Sequence, residues 1–469
     1  MVVLVADRAY KVKKPVVTDF LDFSTVQRRE EVCEREVRLN SRLAADGYLG
    51  VGHFTDPAGG EPEPVVIMRR YPDSLRLASM VRRGEPVEGH LSAMAELIAR
   101  FHGGAVRGHD IDACGRVQAV RARWAENLTE LRRHVGTVLA SEQVDEVGRL
   151  AMQFIDGRAL LFADRIADRR IVDGHGDLIA DDVFCLPAGP VPLDCLEFDD
   201  QLRYVDGLDD AAFLAMDLEF LGRPDLATFF LEEYRRFADD RAPKSLAHLY
   251  VAYRAIVRTK VDCIRVSQGD EGAAVDARRH LDLALNHLRA GTVRLILVGG
   301  GPGSGKTTLA HALADESTAQ AISSDDVRRE MQADGAVEGA TGIYNAGLYS
   351  PEKVDEVYTT MLHRARHLLA SGRSVILDGT WRDPRHRARA RELARQEHCP
   401  TVELVCTIPI EAAMARIADR PASASDATPR IASEMAREEH TWVGAHPIDS
   451  SRPLSDTVIE AQQVCCLAI

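Results

Sequence analysis

The chain has no apolar run approaching the ~18 residues that a membrane-spanning helix requires, so no span is expected in its 469 residues. Its opening, MVVLVADRAY, has too short an apolar core and the wrong flanks for a secretory signal. A cytoplasmic protein with no membrane partner is the expectation. Basic residues are in deficit, 58 Lys and Arg against 72 Asp and Glu, for a formal charge of −14. A broad nucleic-acid-coating surface needs the opposite balance, so only a local basic site is left open. None of the nine cysteines falls in a C-x-x-C pair or a His/Cys metal spacing, and they read as reduced, mostly buried thiols. The tail CLAI superficially fits a prenylation box, yet TVIEAQQVCCLAI reads better as a last apolar, β-branched strand. There is no internal repeat.

What is present is enough for more than one core. A chain this long favours two or three domains, and 45% apolar with 28% charged residues describes a soluble globular protein. The first part opens with a β-rich stretch, VVLVADRAYKVKKPVV, and passes into a helix at STVQRREEVCEREVRLNSRLAA with Ser24 as its cap. Mainly helical sequence follows, interrupted by a β and turn region from Arg170 to Asp200. From Thr292 the rhythm changes to short apolar strands alternating with helices, which implies right-handed crossovers and a parallel sheet. NHLRAGT, residues 286–292, is the expected boundary, giving domains of 1–290 and 291–469.

The second domain opens on VGGGPGSGKTTLA. It satisfies G-x-x-x-x-G-K-[ST] with Gly300, Gly305, Lys306 and Thr307, after an apolar strand and before a helix. Such a loop (Gly300, Gly301, Pro302, Gly303, Ser304, Gly305, Lys306, Thr307 and Thr308) turns backbone N–H groups inward around a β-phosphate. Lys306 offers a point charge, and the Thr307 hydroxyl can hold Mg²⁺. Downstream, SSDDVRRE places Asp325 where it can take the proton of an attacking hydroxyl, with Arg328 one turn on to steady the substrate. A capping Asp beside a solvated Arg would read the same. Asp378 ends the strand SVILD as a carboxylate near Mg²⁺ or the acceptor, unless it merely ends a strand. Arg416 and Arg420 share a helix face ahead of the loop PASASDATP, as lid arginines do. A solvated face is the alternative. Of the arginines that crowd 382–395, Arg382 and Arg385 are near enough to the strand end to touch substrate, the others reading as exposed helix surface.

In this order these motifs resemble the P-loop kinase group, which includes gluconate kinase, zeta toxin and the kinase domain of bacteriophage polynucleotide kinase. Small bacterial kinases labelled AAA-family ATPases are nearest. The resemblance covers 292 to about 445 and implies transfer of a phosphoryl group from a nucleoside triphosphate to a hydroxyl, with Asp325 as base. It does not name the acceptor.

A second constellation lies upstream, in DGHGDLIADDVFCL followed by PLDCLEFDD, with Lys11 in AYKVKKP and Glu36 in CEREVRLN ahead of it. This order resembles the aminoglycoside phosphotransferase-like kinases, and the chain as a whole resembles bacterial two-domain proteins that fuse such a domain to a P-loop kinase. The resemblance implies a protein-kinase-like fold for 1–290, a Lys11–Glu36 pair orienting the α and β phosphates, Asp177 as base, and Asp182 with Asp194 as Mg²⁺ ligands. Asp182 stands where the family has Asn, and Ile179 where it has His. Lys13 shares a strand face with Lys11 and competes for its role. The chain starts without the strand and loop that cover the phosphates in that family.

The expected fold class is thus α/β and α+β, and the expected function is an ATP- and Mg²⁺-dependent phosphotransferase acting on a small molecule or nucleotide. The P-loop domain is catalytic, and the first domain is a second kinase or selects the substrate. A regulatory ATP or GTP switch with a degenerate interaction domain, and a 5′-hydroxyl polynucleotide kinase, are the alternatives; nucleic acid is not favoured by the charge.

Overall fold

The computed structural model describes residues 1–15, 23–55, 59–335, 337, 347–419, 429–436 and 442–469. The chain divides into two compact units: 1–148, 162–242 and 247–287 form one, and 149–161, 243–246 and 288–469 the other. No described helix is long and apolar enough to cross a membrane.

Unit 1 begins with a four-stranded antiparallel sheet, β1 (Val2–Val5), β2 (Arg8–Val12), β3 (Tyr48–Phe54) and β4 (Glu63–Arg69), in the order β1-β2-β4-β3. Helix α1 (Val26–Asn40) packs against this sheet through Cys33, over a core with Tyr48, Val66 and Met68. Its cap is Thr25 rather than Ser24: the Thr25 hydroxyl accepts from the Arg28 amide at 3.3 Å, which satisfies one of the orphan donors of the first turn. Short strands follow, β5 (Ile171–Asp173), the β6 (Val183–Leu186) and β7 (Gly189–Pro192) hairpin, and β8 (Tyr204–Asp206), which pairs antiparallel with β5. Helices α2 (Glu88–Gly104), α3 (Gly207–Phe220) and α4 (Pro224–Phe237) pack together beneath them, and α5 (Lys244–Ser267) adds Arg254 to the interior.

Unit 2 holds a five-stranded parallel sheet of β9 (Leu295–Gly299), β10 (Gln320–Ser323), β11 (Val375–Asp378), β12 (Thr401–Thr407) and β13 (His446–Asp449), in the order β10-β11-β9-β12-β13. Strand β9 is central and leads through the glycine loop into α6 (Lys306–Ser317). Unit 2 also holds α7 (Ser324–Ala333), α8 (Pro351–Ala370), α9 (Pro384–Gln396), α10 (Ile410–Ala418), α11 (Pro429–Ala436) and α12 (Leu454–Leu467). The last corrects the sequence reading, which made this segment a strand. Val458, Ala461 and Cys465 recur at three- and four-residue spacing and bury against Leu309, Leu313 and Ile448, so a helical period won over β-branched composition. All nine cysteines are free, most of them buried, as the missing pair motifs implied.

Candidate active site

The loop of residues 300–305 sits at the carboxyl end of β9, where a parallel sheet opens a crevice. Gly300 and Gly303 have φ of 142° and 74°, in the region that favours glycine. A Cβ on Gly303 would also meet the Ala413 carbonyl oxygen at 2.5 Å, so the loop can run this close to α10 only without a side chain. The Ser450 hydroxyl donates to the Ser304 carbonyl at 2.6 Å. Ser304 itself is buried, with a hydroxyl that finds no partner among the described residues.

Asp378 is the last residue of β11 and lies in register with Val298 of β9, so its carboxylate stands beside the start of the loop. The Thr307 hydroxyl donates to its Oδ2 at 2.7 Å, while Oδ1 is buried without a partner. Burial pushes the Asp378 pKa up, against the pull of Lys306 and the Thr307 hydrogen bond. A buried, half-satisfied carboxylate next to Thr307 is a donor set suited to Mg²⁺, which takes one or two protein oxygens and completes its shell with phosphate and water.

Asp325 lies in the first turn of α7, its amide donating to the capping Ser323 hydroxyl at 3.3 Å. Arg328 Nη1 donates to Asp325 Oδ1 at 2.6 Å, and its side chain is 8% exposed. Its guanidinium lies 4.4 Å over the Tyr349 ring. The solvated-arginine alternative therefore fails for Arg328. Asp325 is close enough to Asp378 to raise its pKa, so both carboxylates share one end of the sheet.

Two cavities flank the loop. One of about 310 Å³ is lined by Gly303, Gly305, Thr308, Arg416, Ser450 and Arg452 among others. Arg416 Nη2 donates there to the Ser450 carbonyl at 2.8 Å, which holds it against the loop. The other, of about 330 Å³, is lined by Gly300, Gly301, Pro302, Ser304, Trp381 and Arg382 with others from β12 and α9. Arg385 is not among them: its side chain is 82% exposed and grips Asp383. Arg420 and the loop after it lie outside the described residues. Arg387, read from sequence as helix surface, is buried and lines this second cavity.

In unit 1, β2 presents Lys11 and the residue after its end is Lys13; both ion-pair with the fully buried Glu36 of α1, at 2.9 and 2.5 Å. Lys11 also pairs with Asp194, and Lys13 with Glu197. The open choice between the lysines thus resolves into a shared carboxylate. Asp194 is held at φ 64°, a strained conformation for a residue with a side chain. Asp177 has a pKa raised to about 6, first by burial and then by Asp194 and Asp217, against Arg258 and Arg254. Asp182 is raised to about 7 by burial and by Asp194 and Asp177. Among the described residues no group of three or more His, Cys, Asp or Glu side chains forms a metal cage.

What fixes this turn was invisible in the motif. Asp210, on α3, accepts from the His175 amide at 2.7 Å and the Gly176 amide at 2.8 Å, and from His102 Nε2 at 3.0 Å. The Asp pair in VDGLDDAAF was its only sequence signal.

The two raised carboxyls carry a pH dependence. Asp182 binds a proton in the fold up to about pH 7 but in the unfolded chain only below about pH 4. The folded state therefore loses stability as pH rises through that window. Asp182→Asn is expected to raise the unfolding temperature by about 2–4 °C at pH 8, the effect of ~1 kcal/mol in a unit of this size. The gain should shrink to nothing toward pH 4, as calorimetry at several pH values would show.

The family described as AAA domain matches residues 295–439. Over its whole length the chain is 52% identical to the uncharacterized protein Rv2004c of Mycobacterium tuberculosis (strain ATCC 25618 / H37Rv), covering 100% of this chain and 94% of the relative. The chain belongs to the family of that mycobacterial protein. Among solved structures it is similar to a gluconokinase from Sinorhizobium meliloti 1021, 18% identical over 38% of this chain and 95% of that one, TM-score 0.29. It is also similar to the Mycobacterium tuberculosis APS kinase CysC in complex with AMPPNP and APS, 17% identical over 37% of this chain and 98% of that one, TM-score 0.28. The family match over 295–439, with the glycine loop between β9 and α6, marks a P-loop domain of the AAA type in unit 2 of a mixed α/β chain.

Proposed function

We propose that the protein is an ATP-dependent phosphotransferase whose P-loop unit moves the γ-phosphoryl group of ATP to a hydroxyl of a small molecule or nucleotide. The observation that carries this reading is the Thr307–Asp378 hydrogen bond with the second Asp378 oxygen left orphaned beside the loop. Thr307 and Asp378 would hold Mg²⁺, which when bound neutralises charge on the β and γ phosphates. The loop amides and Lys306 orient the phosphates. Asp325 takes the acceptor's proton as its oxygen bonds to the γ-phosphorus and the bond to the bridging oxygen breaks, releasing ADP. Arg328 holds Asp325 in place, and Arg416 closes the loop's other flank, where the cavity of about 310 Å³ suits the nucleotide base.

For unit 1 the reading is an aminoglycoside phosphotransferase-like kinase domain that adds its own step or selects the substrate. The Lys11–Glu36 pair and Lys11's contact with Asp194 support it. Asp182 and Asp194 would be the carboxylates toward Mg²⁺, with Asp177 as base.

The test is transfer of label from γ-labelled ATP to a metabolite extract by the full chain. Asp325→Ala should lower transfer about 100-fold, the range for a positioned proton acceptor, while equilibrium binding of ATP stays within about twofold because Asp325 touches no nucleotide in this scheme. Undiminished transfer in that variant removes Asp325 from the mechanism. Release of phosphate that no extract component stimulates would favour the switch.

A further inference from the structure

The cavity of about 330 Å³ on the outer flank of the phosphate loop contains a charge that no described residue neutralises. Arg387 is 8% exposed. Its Nη1 donates to the carbonyl oxygens of Trp381 and Arg382 at 2.7 and 3.2 Å; among the described residues Nε and Nη2 have no partner. The carboxylates nearest in effect are Glu403 and Asp383, and both are taken. Arg391 grips the two Glu403 oxygens at 2.5 and 2.7 Å, and Trp442 Nε1 adds a bond at 2.6 Å. Arg385 grips Asp383 at 2.6 and 3.0 Å. No carboxylate of the described residues lies within ion-pair distance of Arg387.

Neither Nε nor Nη2 of Arg387 is among the fully buried unpartnered polar atoms, so both are open to the cavity that Arg387 lines. Arg387 also lies 5.3 Å over the Trp442 ring, and its two carbonyl contacts through Nη1 tie one end of the fork to the backbone. A fixed fork with uncommitted N–H groups suits two-point contact with a carboxylate or phosphate. The rest of the lining mixes apolar side chains such as Val405, Cys406 and Ile408 with Arg382 and the hydroxyls of Ser304, Thr380 and Thr407, and the volume is that of a small-molecule site.

We propose that this cavity binds a small organic anion whose carboxylate or phosphate is gripped by Arg387 beside the phosphate loop. Anion binding there can be measured without any turnover. Trp381 and Trp442 are two of the chain's three tryptophans and both line the cavity, so occupancy reads out in intrinsic fluorescence. The full chain is titrated with glycerate, glycerol 3-phosphate and glycerol, with saturating tripolyphosphate present to fill the loop itself. Saturable change with one or both anions and none with glycerol is expected, and the better anion identifies the group. Arg387→Met should weaken that binding at least tenfold. Arg387→Lys, which keeps the charge and loses the fork, should fall between, and serves if the Met variant does not fold. Equal response to glycerol, no response to either anion, or unchanged affinity in a folded Arg387 variant overturns the proposal.

Discussion

Lys306→Ala is expected to lower phosphoryl transfer by at least about 1,000-fold in kcat/KM. Lys306 opens α6, directly after Gly305, and its charge reaches the buried Asp378 carboxyl. In the proposed transfer it faces the β and γ phosphates, where negative charge accumulates as the bridging bond breaks. One preorganised donor at such a position is worth roughly 100- to 1,000-fold in kcat, and a charged donor aimed at phosphate contributes to nucleotide affinity as well. The loss should therefore appear both in label transfer and in equilibrium binding of ATP, unlike the Asp325→Ala variant, which separates the two. The scaffold gives no reason for the variant to misfold, since the first turn of α6 has its Gly305–Leu309 hydrogen bond at 3.0 Å without the side chain. Unchanged transfer with an intact melting profile would mean that the loop is not the phosphate site.

Much of this site was legible in sequence because its chemistry is local. Gly300 to Thr308 is a contiguous run whose left-handed glycines the motif demands. Lys11 and Glu36 sit on adjacent elements, a strand and the helix after it. Arg387 was missed because helical arginines at 385, 387, 389 and 391 look alike in sequence; the fold turns one inward and leaves Arg385 exposed. Nothing in the letters says that Arg391 would occupy Glu403 or that Arg385 would occupy Asp383. The carboxy-terminal segment was misread for a related reason. Its composition favours a strand, and only packing against α6 and β13 selects the helix. Thr25 took the capping role from its neighbour Ser24, a one-residue shift that sequence patterns do not resolve.

Asp210 shows the same limit at its most consequential, and Asp210→Ala is expected to cost about 3–5 kcal/mol, the range for removing one partner of a buried charged network. The carboxylate is fully buried. Burial opposes its charge, yet the His102 hydrogen bond together with the charges of His102, His175 and Arg254 hold its pKa well below the usual carboxylate range. Its two oxygens serve different donors: Oδ1 takes the Gly176 amide, and Oδ2 takes the His175 amide and His102 Nε2. Truncation leaves two buried amides and an imidazole without an acceptor, and each orphan costs about 1–3 kcal/mol. Asp210→Asn keeps the shape but turns an NH₂ toward one of those donors, so it should recover only part of the loss. At roughly 2–4 °C per kcal/mol for a unit of this size, the Ala variant should unfold about 10 °C lower and the Asn variant between it and wild type. The turn carrying Asp177 would also be released, because Gly174 approaches this carboxylate so closely that a Cβ there would meet Oδ2 at 2.5 Å. Scanning calorimetry of the full chain should show the transition that carries unit 1 shifted down by that amount. Equal stability of the Asn variant and wild type would mean that Asp210 acts as a space-filler and that something else fixes the His175–Asp177 turn.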